Sequence, residues 1–326
     1  MRRVLAAFAL LIFLGAAGLA GGWLWLQHYL TAPGPLAQET VVLLPRGTGV
    51  AGIAARLAEA GVIRHPLAFQ LSARLSGRDR RLQAGEYAFA AGASPDAVLA
   101  KLESGDAVLH RITLPEGLTV REIYAVLEAS PVLAGELPPP PPEGSLLPDT
   151  WLVPRDEPRA RIVERMQAAM TGALDELWEQ RADDLPILTK EQALVLASII
   201  EKETAVAEEY PLVAGVFVNR LKRGMPLQTD PTVIYALTEG QAPLGRELTR
   251  ADLAVEHPYN TYRNPGLPPG PITNPGRAAL AAALRPADTD YLYFVADGSG
   301  GHAFARTLDE HNRNVARWRR VRNGGG

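Results

Sequence analysis

Residues 5–26, LAAFALLIFLGAAGLAGGWLWL, carry no charge, and no other feature limits the chain so strongly. At ~1.5 Å per residue such a run spans about 33 Å as a helix, against a hydrocarbon core of about 30 Å. Arg2 and Arg3 precede it and the next basic residue other than His28 is Arg46. The positive-inside rule therefore expects a cytoplasmic N-terminus, with everything after the run outside. Trp23 and Trp25 near the outer end suit the interfacial belt where indole rings settle. A cleaved signal peptide is the competing reading, because small residues at 16–22 could make a cleavage site. Cleavable apolar cores usually run about 7–15 residues, so length favours a retained, single-pass anchor in the cytoplasmic (inner) membrane.

Composition removes several classes of function. The chain has 326 residues, room for roughly two domains, and a net charge of -3 with a pI near 6.1. No broad basic field marks a nucleic-acid binder. Cysteine is absent, which excludes disulfides, thiolate metal sites, cysteine nucleophiles and lipoprotein attachment.

After the anchor, 31-TAPGPLAQE-39 reads as a linker. Two related segments follow, 44-LPRGTGVAGIAARL-57 and 114-LPEGLTVREIYAVL-127, each preceded by strand-like residues, so each predicts a strand, a glycine turn and a short helix. A weaker third copy is 92-GASPDAVLAKL-102. These modules resemble LysM domains, which bind glycan; a spacer that only positions the second half is the alternative. The run 138-PPPPP-142 can continue neither a helix nor a central strand and is taken as the boundary. The expected organisation is a cytoplasmic N-terminus 1–4, an anchor 5–26, a linker 27–39, a LysM-like region 40–137 and a second domain 138–326, α+β in class.

In that second domain Thr189 with Gln192 forms a capping box and starts a helix through about residue 208. A second helix is expected over 211–223, and Asp230-Pro231 and Asn274-Pro275 predict capped helices near 231–238 and 275–284. The segments 291-YLYFVA-296 and 302-HAFA-305 read as a hairpin, and Thr307 with Glu310 caps a last helix.

The chemistry gathers in 193-ALVLASIIEKETAV-206. From Ala193 to Ile200 the helix is apolar nearly all round, the pattern of a helix buried inside a domain, and it ends on Glu201, Lys202 and Glu203. Desolvation beside such a face would hold a proton on Glu201 to higher pH, leaving an acid able to protonate a leaving oxygen. Glu203 points roughly 200° away around the helix, which suits a solvated or ion-paired position. A Glu201 that merely pairs with Lys202 or caps a neighbour is the structural alternative.

The string 196-LASIIEKETAVAEE-209, with 143-EGSLLPDTW-151, 215-GVFVNRL-221, 227-LQTDPTVIYAL-237, 259-YNTY-262, 266-GLPPGPITNPG-276 and 291-YLYFVADGSGGHAF-304, resembles the YceG-like endolytic murein transglycosylases over roughly residues 143–319. The Pro run and 152-LVPRDEPRA-160 depart from that pattern. The resemblance implies that 138–326 is a catalytic domain and that Glu201 is its acid/base. Such an enzyme, a carbon–oxygen lyase, cuts peptidoglycan glycan strands between N-acetylmuramic acid and N-acetylglucosamine and leaves a 1,6-anhydro end. The anchor would hold the cut close to the membrane, where new glycan strands emerge, so nascent strands are the expected substrate and peptidoglycan synthases such as penicillin-binding proteins the expected partners; no metal or cofactor is expected. His302 and His311 lack metal-binding spacing; a hairpin residue is the plain reading of His302.

Two rivals remain from the sequence. A muramidase-type hydrolase would need a second carboxylate, for which Asp230 is the nearest candidate, although its place before Pro231 favours a helix cap. A non-catalytic scaffold that binds glycan for the synthases is the other. Candidate sugar contacts are Gln228, Thr229 and Asp230, with Tyr259, Asn260 and Tyr262 in a loop whose rings could stack on sugars. Asn219 is expected to be a buried structural amide.

Overall fold

A computed structural model describes residues 2–324. In chain order the elements are α1 (Arg2–Thr31), β1 (Thr40–Leu44), α2 (Val50–Glu59), α3 (Pro66–Leu75), β2 (Gly85–Phe89), α4 (Pro95–Ser104), β3 (Leu109–Thr113), α5 (Val120–Ala129), β4 (Leu133–Ala134), β5 (Thr150–Pro154), β6 (Glu157–Pro158), α6 (Arg159–Glu179), α7 (Lys190–Glu203), α8 (Tyr210–Lys222), α9 (Asp230–Thr238), α10 (Arg277–Leu284), β7 (Tyr293–Ala296), β8 (His302–Ala305) and α11 (Leu308–Gly324), with short 3-10 turns at Ala207–Glu209 and Asp252–Ala254. Contacts divide the chain into two compact units, Met1–His110 with Leu152–Asp156, and Arg111–Trp151 with Glu157–Gly326. This division falls well ahead of the proline run, so the two repeated segments lie in different units.

In the first unit α1 is a 30-residue helix with a mean hydropathy of 2.4 in its most apolar stretch, long and apolar enough to cross a membrane. The β-branched run 40-TVVLL-44 pairs antiparallel with β2, Val42 opposite Tyr87, and buries alternate residues Val42 and Leu44. Phe69 of α3, Tyr87, Phe89, Leu57, Leu99 and Leu102 complete this core. The end of α1 and the segment after it are docked: Leu30 of α1 and Leu36 pack on that core, and Gly34 and Leu36 exchange backbone hydrogen bonds with Gly92. A Cβ on Gly34 would sit 2.2 Å from the Ala93 carbonyl oxygen, so only glycine permits this approach.

The second unit is built around α7. Every residue from Ala193 to Ile200 except the half-buried Leu194 is buried, as the apolar run predicts. Thr189 accepts a hydrogen bond from the Gln192 backbone at 3.2 Å and caps the helix. The buried alanines of α10, Ala279, Ala282 and Ala283, let that helix lie along α7. α8 closes another side, and its Asn219, half-buried where full burial is expected, has the expected structural role, its amide donating to the Thr289 and Tyr291 carbonyls at 2.6 and 3.1 Å. β7 and β8 form the expected hairpin.

Two helix boundaries differ from expectation. α7 stops at Glu203 rather than near 208, because Thr204 turns extended and its hydroxyl accepts from Val206 N and donates to Glu209. α10 begins at Arg277 with Gly276 as its cap, because Asn274 is turned inward instead. Asn274 is fully buried; its amide donates to Leu118 O and Glu143 Oε1, and its Oδ1 accepts from Leu146 N. Its backbone bonds Gly117 and Leu118 as well, which stitches 116–118 and 143–146 to the entrance of α10. Asn274→Ala is expected to leave these buried groups unpaired and cost about 3 kcal/mol. The transition of the second unit in a thermal melt should fall by roughly 10 °C.

Candidate active site

The end of α7 opens into a cleft of about 400 Å³ lined by Glu116, Gly117, Glu201, Lys202, Glu203, Thr204, Ala205 and Tyr210. Glu201 is half-buried at the point where the apolar helix meets this cleft. The turn at Thr204 brings α8 back so that the Tyr210 hydroxyl donates to Glu201 Oε1 at 2.7 Å. From the other side Gly276 N donates to Glu201 Oε2 at 2.9 Å. Burial, then the neighbouring Glu201, push the Tyr210 phenol upward, so it stays a neutral donor.

Glu116 completes this group. Its carboxyl lies against Gly276, where an added Cβ would come within 1.8 Å of Oε1. Loss of solvent around that carboxyl, then the charge of Glu201, push its pKa up. Lys202 lies on the rim with Nζ 3.2 Å from Gly117 O, and across it a second hollow of about 370 Å³ runs past Ile234, Tyr235 and Gly240.

Glu203 is not the solvated residue that its helical angle predicts. Its carboxyl accepts a hydrogen bond from the Thr229 hydroxyl. Desolvation raises its pKa to about 7, the Thr229 bond pulling the other way and Asp230 adding to the rise. Beside it Glu209 accepts from His302 Nδ1 at 2.6 Å, from His302 N at 2.7 Å and from Thr204. Burial works against ionisation of Glu209, but the His302 and Thr204 bonds outweigh it and hold the carboxyl below its usual range. His302 is thus a hairpin residue tied to the back of the cleft.

The candidate sugar contacts separate. Thr229 is buried on Glu203, with its backbone N bonded to Thr261 Oγ1 at 3.1 Å. Asp230 does not cap α9: Thr229 holds the cap position without a side-chain bond, and Asp230 accepts from the Tyr262 hydroxyl at 2.7 Å. Gln228 is exposed, with a positive φ of 50°. Tyr259 packs on Tyr235, ring centroids 4.8 Å apart. Asn260 is fully buried and spends its amide on Leu253 O and Val255 O and its Oδ1 on Tyr262 N, so it holds the loop together and is not presented to a ligand. Tyr210 and Glu116 are the residues at Glu201 that the sequence did not single out. For Glu116 a signal existed, since the two repeated segments agree at Leu, Pro and Gly but carry Arg46 in one and Glu116 in the other.

A family model described as the YceG-like family matches residues 42–317. An endolytic murein transglycosylase of Bacillus subtilis is 34% identical over 303 aligned positions, covering 83% of this chain and 82% of that protein. One from Streptococcus pneumoniae is 30% identical over an alignment of 358 positions, covering 94% of this chain and 64% of that protein. Among solved structures, a yceG-like protein of Listeria monocytogenes superposes with a TM-score of 0.50 at 31% identity, over 85% of this chain and 99% of that one.

The Glu203 carboxyl sets a pH dependence. Between about 4.5 and about 7 the folded chain holds a proton there that the unfolded chain releases, so stability falls as pH rises through that window, by about 3 kcal/mol in all. Denaturant unfolding at pH 5 and pH 8 should show most of that loss in the wild type and a clearly smaller one in Glu203→Gln.

Proposed function

The chain belongs to the YceG-like family, and from that premise we propose that it is an endolytic peptidoglycan transglycosylase whose acid/base is Glu201. One observation carries the assignment of Glu201: a carboxyl delivered by a buried helix to an open cleft, gripped by the Tyr210 hydroxyl and Gly276 N–H.

In the proposed reaction the acid form of Glu201 donates its proton to O4, the oxygen joining muramic C1 to glucosamine C4. The C1–O bond breaks, its electron pair stays with the departing O4 hydroxyl, and C1 takes on oxocarbenium character. The Glu201 carboxylate then removes the proton from the muramic C6 hydroxyl as O6 attacks C1, closing the 1,6-anhydro ring. Glu201 finishes protonated, as it began, and no water is consumed. The Tyr210 hydroxyl serves both forms, since it donates to a carboxylate and accepts from an acid.

The neighbouring carboxyls favour this reading over hydrolysis. A hydrolase's second carboxylate must be ionised to attack or to activate water. Glu116 and Glu203 line the same cleft, and their surroundings push both toward the protonated form. Asp230 spends one oxygen on Tyr262.

The hollow beyond Lys202 supports endolytic action, because it extends the cleft away from Glu201 toward Tyr235 and gives a strand room to continue past the cut. Gln228 and Tyr262 are the proposed contacts that remain open to sugar. The small module of β1, α2, α3 and β2 supports the LysM-like, glycan-positioning role. The apolar α1 supports single-pass anchoring with an outward catalytic unit, where nascent strands emerge beside their synthases.

Mass spectrometry of fragments released from purified peptidoglycan tests the assignment. The wild type is expected to leave 1,6-anhydro ends, and Glu201→Gln should cut the rate by about 10²-fold or more while the fold persists. Reducing ends would make the enzyme a hydrolase, and no cleavage by folded wild type would favour the scaffold. Gly276→Ala should displace the Glu116 carboxyl, the flexible end of a side chain, and lower activity about 10- to 100-fold with little change in melting temperature.

A further inference from the structure

α3 is apolar on both sides. Ala68, Phe69 and Ala73 face the core of the first unit, whereas Leu67, Leu71 and Leu75, spaced by four, are 78, 51 and 62% exposed on the opposite face. A surface helix normally turns polar residues outward, so a leucine stripe of this kind calls for a partner.

The position of α3 identifies that partner. His65 precedes α3, and its ring packs on Trp25 at 5.6 Å and on Tyr29 at 5.4 Å, the aromatic residues at the outer end of α1. The Tyr29 hydroxyl donates to His65 O at 3.3 Å. Because the segment after α1 is docked on the same core, α3 is held where the apolar run ends. Aromatic rings of this kind mark the boundary between hydrocarbon and headgroups.

Charge agrees with position. The segment 64-RHPLAFQLSARLSGRDRR-81 contains five arginines and one acid, Asp79. Arg78 is taken up by Asp96 and Glu103, but Arg64, Arg74 and Arg80 are exposed and make no ion pair among the described residues. Arg74 lies one and two turns from Leu71 and Leu67 on the same face. An aliphatic stripe flanked by arginines is the composition of a helix lying in a membrane interface rich in anionic lipid.

We infer that α3 is a second membrane contact, its Leu67–Leu71–Leu75 face seated in the outer headgroup region with the arginines on anionic phosphates. This rests on the anchoring by α1 proposed above. The consequence is orientation: two contacts fix the face that the first unit turns to the bilayer, where one helix would leave it free to rotate.

The absence of cysteine lets a single label be placed anywhere in the full-length chain. Leu67→Cys, Leu71→Cys, Leu75→Cys, a mid-anchor Leu14→Cys and an exposed control Ala55→Cys on α2 would each carry an environment-sensitive fluorophore in nanodiscs. Lipids bearing a quencher either near the headgroup or deep in the chain report depth. The expected result is deep quenching at 14, shallow quenching and a blue shift at 67, 71 and 75, stronger with phosphatidylglycerol than with phosphatidylcholine alone, and neither at 55. Quenching at 14 with the α3 labels behaving like 55 would overturn the inference while leaving the anchor intact. No quenching at 14 would remove the anchor and the inference together. A blue shift on α3 insensitive to lipid quenchers and growing with protein density would assign the stripe to a second copy of the chain, which also overturns it.

Discussion

The geometry of the cleft depends on how Asn274 holds two stretches of chain together. Gly117 and Leu118 bond the backbone and amide of Asn274, and two residues later Gly276 N–H reaches Glu201. Glu116 is thereby laid against Gly276, and Gly117 against the end of α7. A buried amide can do this because each of its donors and its acceptor has a partner, so the cost of burying it is offset by the bonds it makes. Without that clamp Glu201 would keep its helix but lose one of its two donors and its neighbouring carboxyl.

From this follows a division of labour among carboxyls that stand close in sequence or space. Glu201 meets donors and the open cleft. Glu203, two residues on, accepts from the Thr229 hydroxyl and titrates near 7. Glu209 meets His302 and Thr204 and stays ionised. Glu203 and Glu209, identical in chemistry, are given opposite shifts in proton affinity by their surroundings. The turn at Thr204 sits at the centre of this arrangement, since it ends α7, orders Glu209 and returns Tyr210 to Glu201.

Much of this was legible in the sequence where a single periodicity decides the outcome. The apolar run of α1, the all-round apolar face of α7, the β7–β8 hairpin and the position of Glu201 all follow from spacing and composition. What was not legible depends on contacts between distant residues. Asp230-Pro231 has the local form of a helix cap, but Tyr262 claims the carboxylate. Asn260 stands in a tyrosine-rich loop that looks exposed, yet the loop closes around its amide. Asn274-Pro275 likewise looks like a cap, until Leu118 and Leu146 arrive from more than a hundred residues away. The angle of Glu203 on an isolated helix predicts a solvated carboxyl, whereas the turn before α9 brings the Thr229 hydroxyl onto it. The proline run breaks local structure and reads as a boundary, whereas the compact units divide at residues 110 and 111, and Gly117 lies against the Glu201 side chain.

The central claim is that Glu201 transfers a proton from sugar to sugar and that no water enters the new bond. Digestion of purified peptidoglycan in heavy-oxygen water, followed by mass spectrometry of the new muramic ends, addresses it most directly. The account predicts ends without the label, because O6 of the same residue closes on C1. Heavy oxygen at C1 would contradict it and would mean that water is the nucleophile.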